Sequence, residues 1–228
     1  MKVVMLGAGT NARESLDVMD ARRQAGETLE LLGFLVEARF AAPGTPAHGS
    51  QVLGDIDWLA GRRLEDTVGF CSVGAPAVRR RLVHRAAALG LHFISLVHPS
   101  VTVGDPDRVG PGCLVQKGSI LTSNARLGSF VHLYAGCLLS HDAIVGDYAT
   151  LCPGVAVGGS VTVGEGATLG IGANVIQRCA VGPWSIVGAG ATVVADVPPD
   201  ATVVGVPARV IDRRPPGWHL KPDAKSPF

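Results

Sequence analysis

His141 is followed directly by Asp142. A histidine beside a carboxylate suits proton abstraction near neutral pH, because the imidazole titrates there and the acid can fix which ring nitrogen carries the proton. A solvated turn is the plainer reading of the same pair, and the pair alone leaves both open. The other chemistry-bearing segment is Gly7-Ala-Gly9-Thr10-Asn11-Ala12, after the apolar run MKVVML. A G-x-G turn opening a helix offers backbone N–H groups to a phosphate or nucleotide. The acid that would meet a ribose at the end of the next strand has its nearest candidate in Glu37. A tight strand-to-helix turn without ligand is the alternative. The segment is too short for both halves of a dinucleotide, so a mononucleotide fragment fits better.

The elements that must position His141 are set by a six-residue beat. From Val97 to Val193 every sixth residue is Val or Leu. Four residues after each comes Ala, Ser, Cys or Val, except at Asp107, and glycine often follows the aliphatic residue, as at Gly104, Gly158 and Gly170. Three hexads make one triangular coil with the aliphatic residue inside, which is a hexapeptide parallel β-helix of seventeen hexads. An amphipathic helix needs a period of 3.6 and a half-buried strand a period of 2, so neither competes. In this frame His141 stands third in its hexad, at a corner, and points outward.

Residues 1–95 carry no hexads and read as α/β. Strands are predicted over Val3–Gly7, Leu29–Val36, Val68–Gly74 and His92–Val97, and helices over Ala12–Gln24 and the arginine-studded Ala77–Leu89. The alternation predicts a small parallel sheet, a Rossmann-like half of a doubly wound domain. The expected division is 1–95 for nucleotide or acceptor, 96–211 for the β-helix, and 212–228 as a tail. That tail (DRRPPGWHLKPDAKSPF) is expected to be poorly ordered or draped over a neighbour, without chemistry.

The chain has 228 residues, a net charge of +1 and 17% charged side chains, which argues against nucleic acid or a membrane surface as partner. No apolar stretch has transmembrane length and no signal-peptide pattern opens the chain, so a cytoplasmic protein is expected. Cys71, Cys113, Cys137, Cys152 and Cys179 lack CxxC spacing and read as small buried hydrophobes. A zinc enzyme on the same solenoid would need three converging histidines. His98, His132 and His141 fall at unrelated positions around an 18-residue coil, so no metal is expected; His48, His84, His92 and His219 read as surface or structural.

The GAG loop, GFLVEA, VLGD, RRRL, SLVHPS, SHDAIVGDYATLCPGVAVGG and VVGVPARVI together resemble the sugar O- and N-acetyltransferase family, which includes nucleotide-amino-sugar N-acetyltransferases and sialate O-acetyltransferases. The resemblance covers residues 1–211. It implies a left-handed β-helix and a homotrimer whose active sites lie between subunits, with acetyl-CoA in the groove. It also implies His141 as general base oriented by Asp142, and direct transfer without an acyl-enzyme. The matching CoA positions are Gly159, Gly170, Ile171, Gly172, Gly188, Ala189 and Arg209, the last as a phosphate contact. The acceptor would meet Gly7, Gly9, Thr10, Asn11, Glu37 and Tyr134.

Four departures fall on the acceptor side. Asn11 stands for a histidine, Val36-Glu37 for an aspartate at the end of the second strand, Tyr134-Ala135 for Asn-Thr, and Thr150 for a further histidine. The implied activity is N-acetylation of a nucleotide-linked amino sugar. O-acetylation of a sugar hydroxyl, which Tyr134 favours, and a catalytically silent trimeric binding module are the alternatives.

Overall fold

The computed structural model describes residues 1–103, 105 and 108–221. Gly104 and Asp107 of the hexad series and residues 222–228 of the tail lie outside the described residues.

The chain opens with β1 (Lys2–Leu6), α1 (Thr10–Gln24), β2 (Glu30–Leu35), β3 (Pro46–Ala47) and β4 (Ser50–Gly54). A short 3-10 turn at Ile56–Leu59, β5 (Thr67–Cys71), α2 (Pro76–Ala88) and β6 (His92–Phe93) follow. The sheet order is β3-β4-β2-β1-β5-β6, parallel throughout except for the β3–β4 hairpin. β1 is buried on both faces, as a central parallel strand must be. Val3 and Met5 pack with Val18 and Met19 of α1, while Val4 and Leu6 pack with Leu82 and Val83 of α2. The two helices therefore cover opposite faces of the sheet.

From β7 (Leu96–Val97) onward two-residue strands stack in parallel on three faces. The first face carries Leu114–Val115, His132–Leu133, Thr150–Leu151, Thr168–Leu169 and Ile186–Val187 in exact eighteen-residue register. The second carries Leu138–Leu139 and Ala156–Val157, and the third Ile144–Val145 and Thr162–Val163. The aliphatic and small hexad positions form one continuous core inside the stack. Burying about 0.8 kcal/mol per methylene on every coil, this core is what makes the six-residue beat obligatory.

Two expectations are corrected. His92–Val97 is not one strand: β6 pairs with β5, whereas β7 pairs with Leu114–Val115. The chain changes sheet at Ser95, whose hydroxyl donates to Gly110 O at 2.8 Å and accepts from Cys113 N at 3.1 Å. The described part of the tail is also ordered. Arg209–Arg213 pairs antiparallel with Ala201–Val204, Arg214 donates to Trp184 O at 3.0 Å, and the His219 ring stacks on Trp184 at 3.8 Å.

Arg79 joins the sheet to the β-helix. It is fully buried and donates to Phe130 O, Val73 O, Gly74 O, Tyr148 O, Ala149 O and the Thr150 hydroxyl at 2.6–3.2 Å. Burial lowers its pKa to about 10, so it stays cationic at neutral pH. The same burial, with Arg79 nearby, pushes His132 well down, and that neutral ring stacks on Phe70. Each carbonyl left unpaired costs about 1–3 kcal/mol. Arg79→Ala is accordingly expected to lower stability by at least about 3 kcal/mol in chemical denaturation at fixed protein concentration. A loss under about 1 kcal/mol would show that the cluster does not hold the two parts together.

Candidate active site

His141 sits at a corner between the second and third faces, in Ser140-His141-Asp142-Ala143. Ala143 is buried and closes the corner, while Asp142 takes the left-handed φ of 60° that Asp and Asn adopt more readily than most residues. Its backbone N–H donates to Ser123 O on the preceding coil at 2.9 Å. Asp142 Oδ2 lies 2.9 Å from His141 Nδ1, and Oδ1 accepts from Asn124 Nδ2 at 3.1 Å. The hydrogen bond from His141, then that from Asn124, holds the Asp142 carboxyl below its ordinary range. An ionised acid at Nδ1 puts the ring proton there and leaves Nε2 as the acceptor. Both side chains are open to solvent, at 66% and 52% exposure.

Gly159, one coil on, is the floor beneath this imidazole. A Cβ at Gly159 would stand 2.4 Å from His141 Nε2. The ring can swing away, so Gly159→Ala is expected to keep the fold and lose turnover by roughly a hundredfold, the cost of an ångström-scale misplacement. Unchanged kcat in a folded Gly159→Ala protein would show that the ring position is immaterial.

A cavity of about 330 Å³ lies at a different corner, between the first and second faces, under α1. Asn11 and Glu14 of α1, Tyr134, Thr150 and Ile171 line it. Glu14 Oε2 accepts from Gln116 Nε2 at 2.8 Å, and Gln116 Oε1 accepts from Ala135 N at 3.1 Å, so the acid is held in place. Tyr134 is 6% exposed and burial raises its phenol pKa, so the group stays protonated. The Thr150 hydroxyl donates to Gly74 O at 3.0 Å and accepts from Arg79. The corners of this column above the cavity hold Gly170-Ile171-Gly172 and Gly188-Ala189. Ile171 is 63% exposed, and a side chain added at Gly172 or Gly190 would meet open space. Arg209 lies exposed on the last strand, its Nη1 on Ala208 O at 2.9 Å.

A second cavity, of about 430 Å³, adjoins the glycine loop and is lined by Gly7, Gly9, Val36, Glu37 and Phe40. Gly7 has φ 91°, and a Cβ there would stand 2.8 Å from Val73 Cγ2, so only glycine allows this approach of β1 to the segment after β5. Glu37 is held by Arg39 at 2.9 Å and Arg81 at 3.6 Å.

Within one chain the predicted residues therefore separate into three places. His141, Asp142 and Gly159 share one corner. Asn11 and Tyr134 share a cavity with Ile171 at another. Gly7, Gly9 and Glu37 surround the glycine-loop cavity, with Thr10 exposed as the first residue of α1. Asn124, Glu14 and Phe40 escaped the sequence reading. Asn124 carried a usable signal, since it precedes Asp142 by one coil. Among the described residues no three His, Cys, Asp or Glu side chains gather as a metal site would, and no helix is long and apolar enough to cross a membrane. The five cysteines are free, and four of them are buried.

No family model matches the chain, and neither does any curated protein. Solved structures do. A histidine-to-asparagine variant of perosamine N-acetyltransferase from Caulobacter crescentus, in complex with CoA and GDP-perosamine, is 31% identical over 93% of this chain and 97% of its own, with a TM-score of 0.83. The acetyltransferase domain of PglB from Neisseria gonorrhoeae, in complex with acetyl coenzyme A, is 27% identical over 92% of this chain and 98% of its own, with a TM-score of 0.81. WeeI from Acinetobacter baumannii is 28% identical over 92% of this chain and 100% of its own, with a TM-score of 0.79. With that identity sustained over nearly the whole of both chains and the backbones superposing throughout, the protein belongs to the nucleotide-amino-sugar N-acetyltransferase family.

Proposed function

We propose that the protein moves the acetyl group of acetyl-CoA to the amine of a nucleotide-linked amino sugar. The observation that carries the reading is the His141–Asp142–Asn124 relay at an open corner, in a chain similar over nearly its whole length to sugar N-acetyltransferases. His141 Nε2 takes the proton that the acceptor nitrogen must lose as its bond to the acetyl carbon forms and the C–S bond to CoA breaks. The thiolate leaves and is reprotonated by the imidazolium or by solvent. Asp142 keeps the proton on Nδ1 and stabilises the imidazolium. No side-chain nucleophile is needed.

Acetyl-CoA fits the corner of Gly170, Ile171, Gly172, Gly188 and Ala189. Glycines without facing side chains leave room for an extended chain there, and exposed Ile171 offers it apolar contact. Arg209 is the phosphate contact and Gly159 the floor of the base. Asn11, Tyr134 and the Glu14 carboxylate form the sugar end of the acceptor site, and an acid there suits a substrate that arrives as an ammonium. Gly7, Gly9, Thr10 and Glu37 hold the nucleotide.

His141 lies at one corner and the cavity at another, so the reaction needs a second copy to join them, in a homotrimer. Exposed Ile120, Leu138, Ile144 and Ile176 on the second and third faces and their shared corner support packing between copies. The parts are a Rossmann-like half domain over 1–95, a left-handed β-helix over 96–211 and a tail over 212–228, in a cytoplasmic protein.

The test is thiol release from acetyl-CoA by the purified protein with a panel of nucleotide-linked amino and hydroxy sugars. Release with an amino sugar, and an N-acetyl product by mass spectrometry, supports the reading. Release only with hydroxy sugars would replace it with O-acetylation.

A further inference from the structure

The glycine-loop cavity has a chemical bias beyond fitting some nucleotide. Its walls are apolar, from Leu6, Leu35, Val36 and Val73, and Phe40 at its lip is 70% exposed. A large aromatic left open to water at a cavity edge is a stacking surface for a flat ring. Beside it stands one acidic side chain, Glu37, whose carboxylate is fixed from outside by the Arg39 and Arg81 guanidiniums. A carboxylate only accepts hydrogen bonds, and it has two oxygens to satisfy.

The nucleobases differ in what they can give it. Guanine carries N1–H and its 2-amino group side by side, two donors that match two carboxylate oxygens. Uracil and thymine present a single N3–H between two carbonyl oxygens, which would repel the second carboxylate oxygen. Adenine and cytosine place a ring acceptor next to their amino group. A buried-edge mismatch of this kind leaves a polar group unpaired, which costs far more than a matched pair gains.

We propose that this cavity selects guanine, with Phe40 stacking on the base and Glu37 accepting from N1–H and the 2-amino group. Glu37 is thereby the specificity-determining residue, and the acceptor is a GDP-linked amino sugar. The proposal rests on the reading that the glycine loop holds the nucleotide of the acceptor.

Titration calorimetry of the intact protein with GDP, UDP, dTDP and ADP tests it without any acetyl transfer. GDP is expected to bind at least tenfold more tightly than the other three. Glu37→Gln should weaken GDP at least tenfold while changing UDP less than threefold, because the Gln amide turns an N–H₂ group toward one guanine donor. Equal affinities, tighter UDP, or undiminished GDP binding by Glu37→Gln would overturn the assignment. So would absence of binding by all four. Acetyl transfer to a UDP-linked amino sugar in preference to its GDP counterpart would sink the guanine assignment and leave the transferase reading standing. Selective GDP binding without transfer to any amino sugar would do the reverse.

Discussion

Replacing His141 with alanine is expected to lower kcat by about a thousandfold, within the range that a positioned general base contributes. Affinity for CoA should hardly change. The separation of the two effects follows from where the side chain stands. Its ring is 66% exposed, is bonded only to the neighbouring Asp142 and rests over Gly159, so removing it takes nothing from the core of the stacked coils. The CoA corner at Gly170 and Ile171 is on a different column and keeps its backbone geometry. What is lost is the Nε2 lone pair, and with it the acceptor for the proton that the attacking nitrogen must shed. Steady-state kinetics with saturating acceptor, alongside calorimetric titration of CoA, separate these quantities. Turnover above a tenth of wild type would mean that the base is elsewhere, and a collapse of CoA affinity would mean that His141 supports binding rather than chemistry.

Much of this arrangement was legible from spacing. A period of six has no other structural origin, and the residues it marks, such as Leu133, Leu151 and Leu169, are fully buried on one face. That same period put His141 at a corner and pointing outward. Other features depend on contacts between segments remote in sequence. Arg79 stands next to Arg80 and Arg81, and nothing in that run distinguishes the one that turns inward to carbonyls supplied by residues 73–74, 130 and 148–149. The break at Ser95 exists because Leu96 must align with Leu114, a partner eighteen residues away. The tail reads as disordered from its prolines and charges, yet Trp184 and Asp200, far upstream, supply the surface that orders Arg214 and His219. Tyr134 reads as an acceptor contact, while its burial beside Gly74 and His132 shows a side chain that also packs.

The distance between the His141 corner and the acceptor cavity leads to the second large effect. Pro153 is exposed at the cavity wall, and Pro153→Trp is expected to plug the cavity without touching the core, giving an inactive protein. His141→Ala is inactive for a different reason. If each active site takes its histidine from one copy and its cavity from the next, the two dead proteins repair each other when unfolded, mixed and reassembled. In a random equimolar mixture a productive site needs the plugged chain as histidine donor and the His141→Ala chain as cavity donor. That combination arises at roughly a quarter of the interfaces in a closed ring of identical contacts. Recovery of about a quarter of wild-type activity is therefore expected from two preparations that each show almost none. A site built within one chain would give no recovery at any mixing ratio, because every copy carries one lesion. Varying the ratio sharpens the result: recovery should peak at equal amounts and fall to zero at either end, as the product of the two fractions requires.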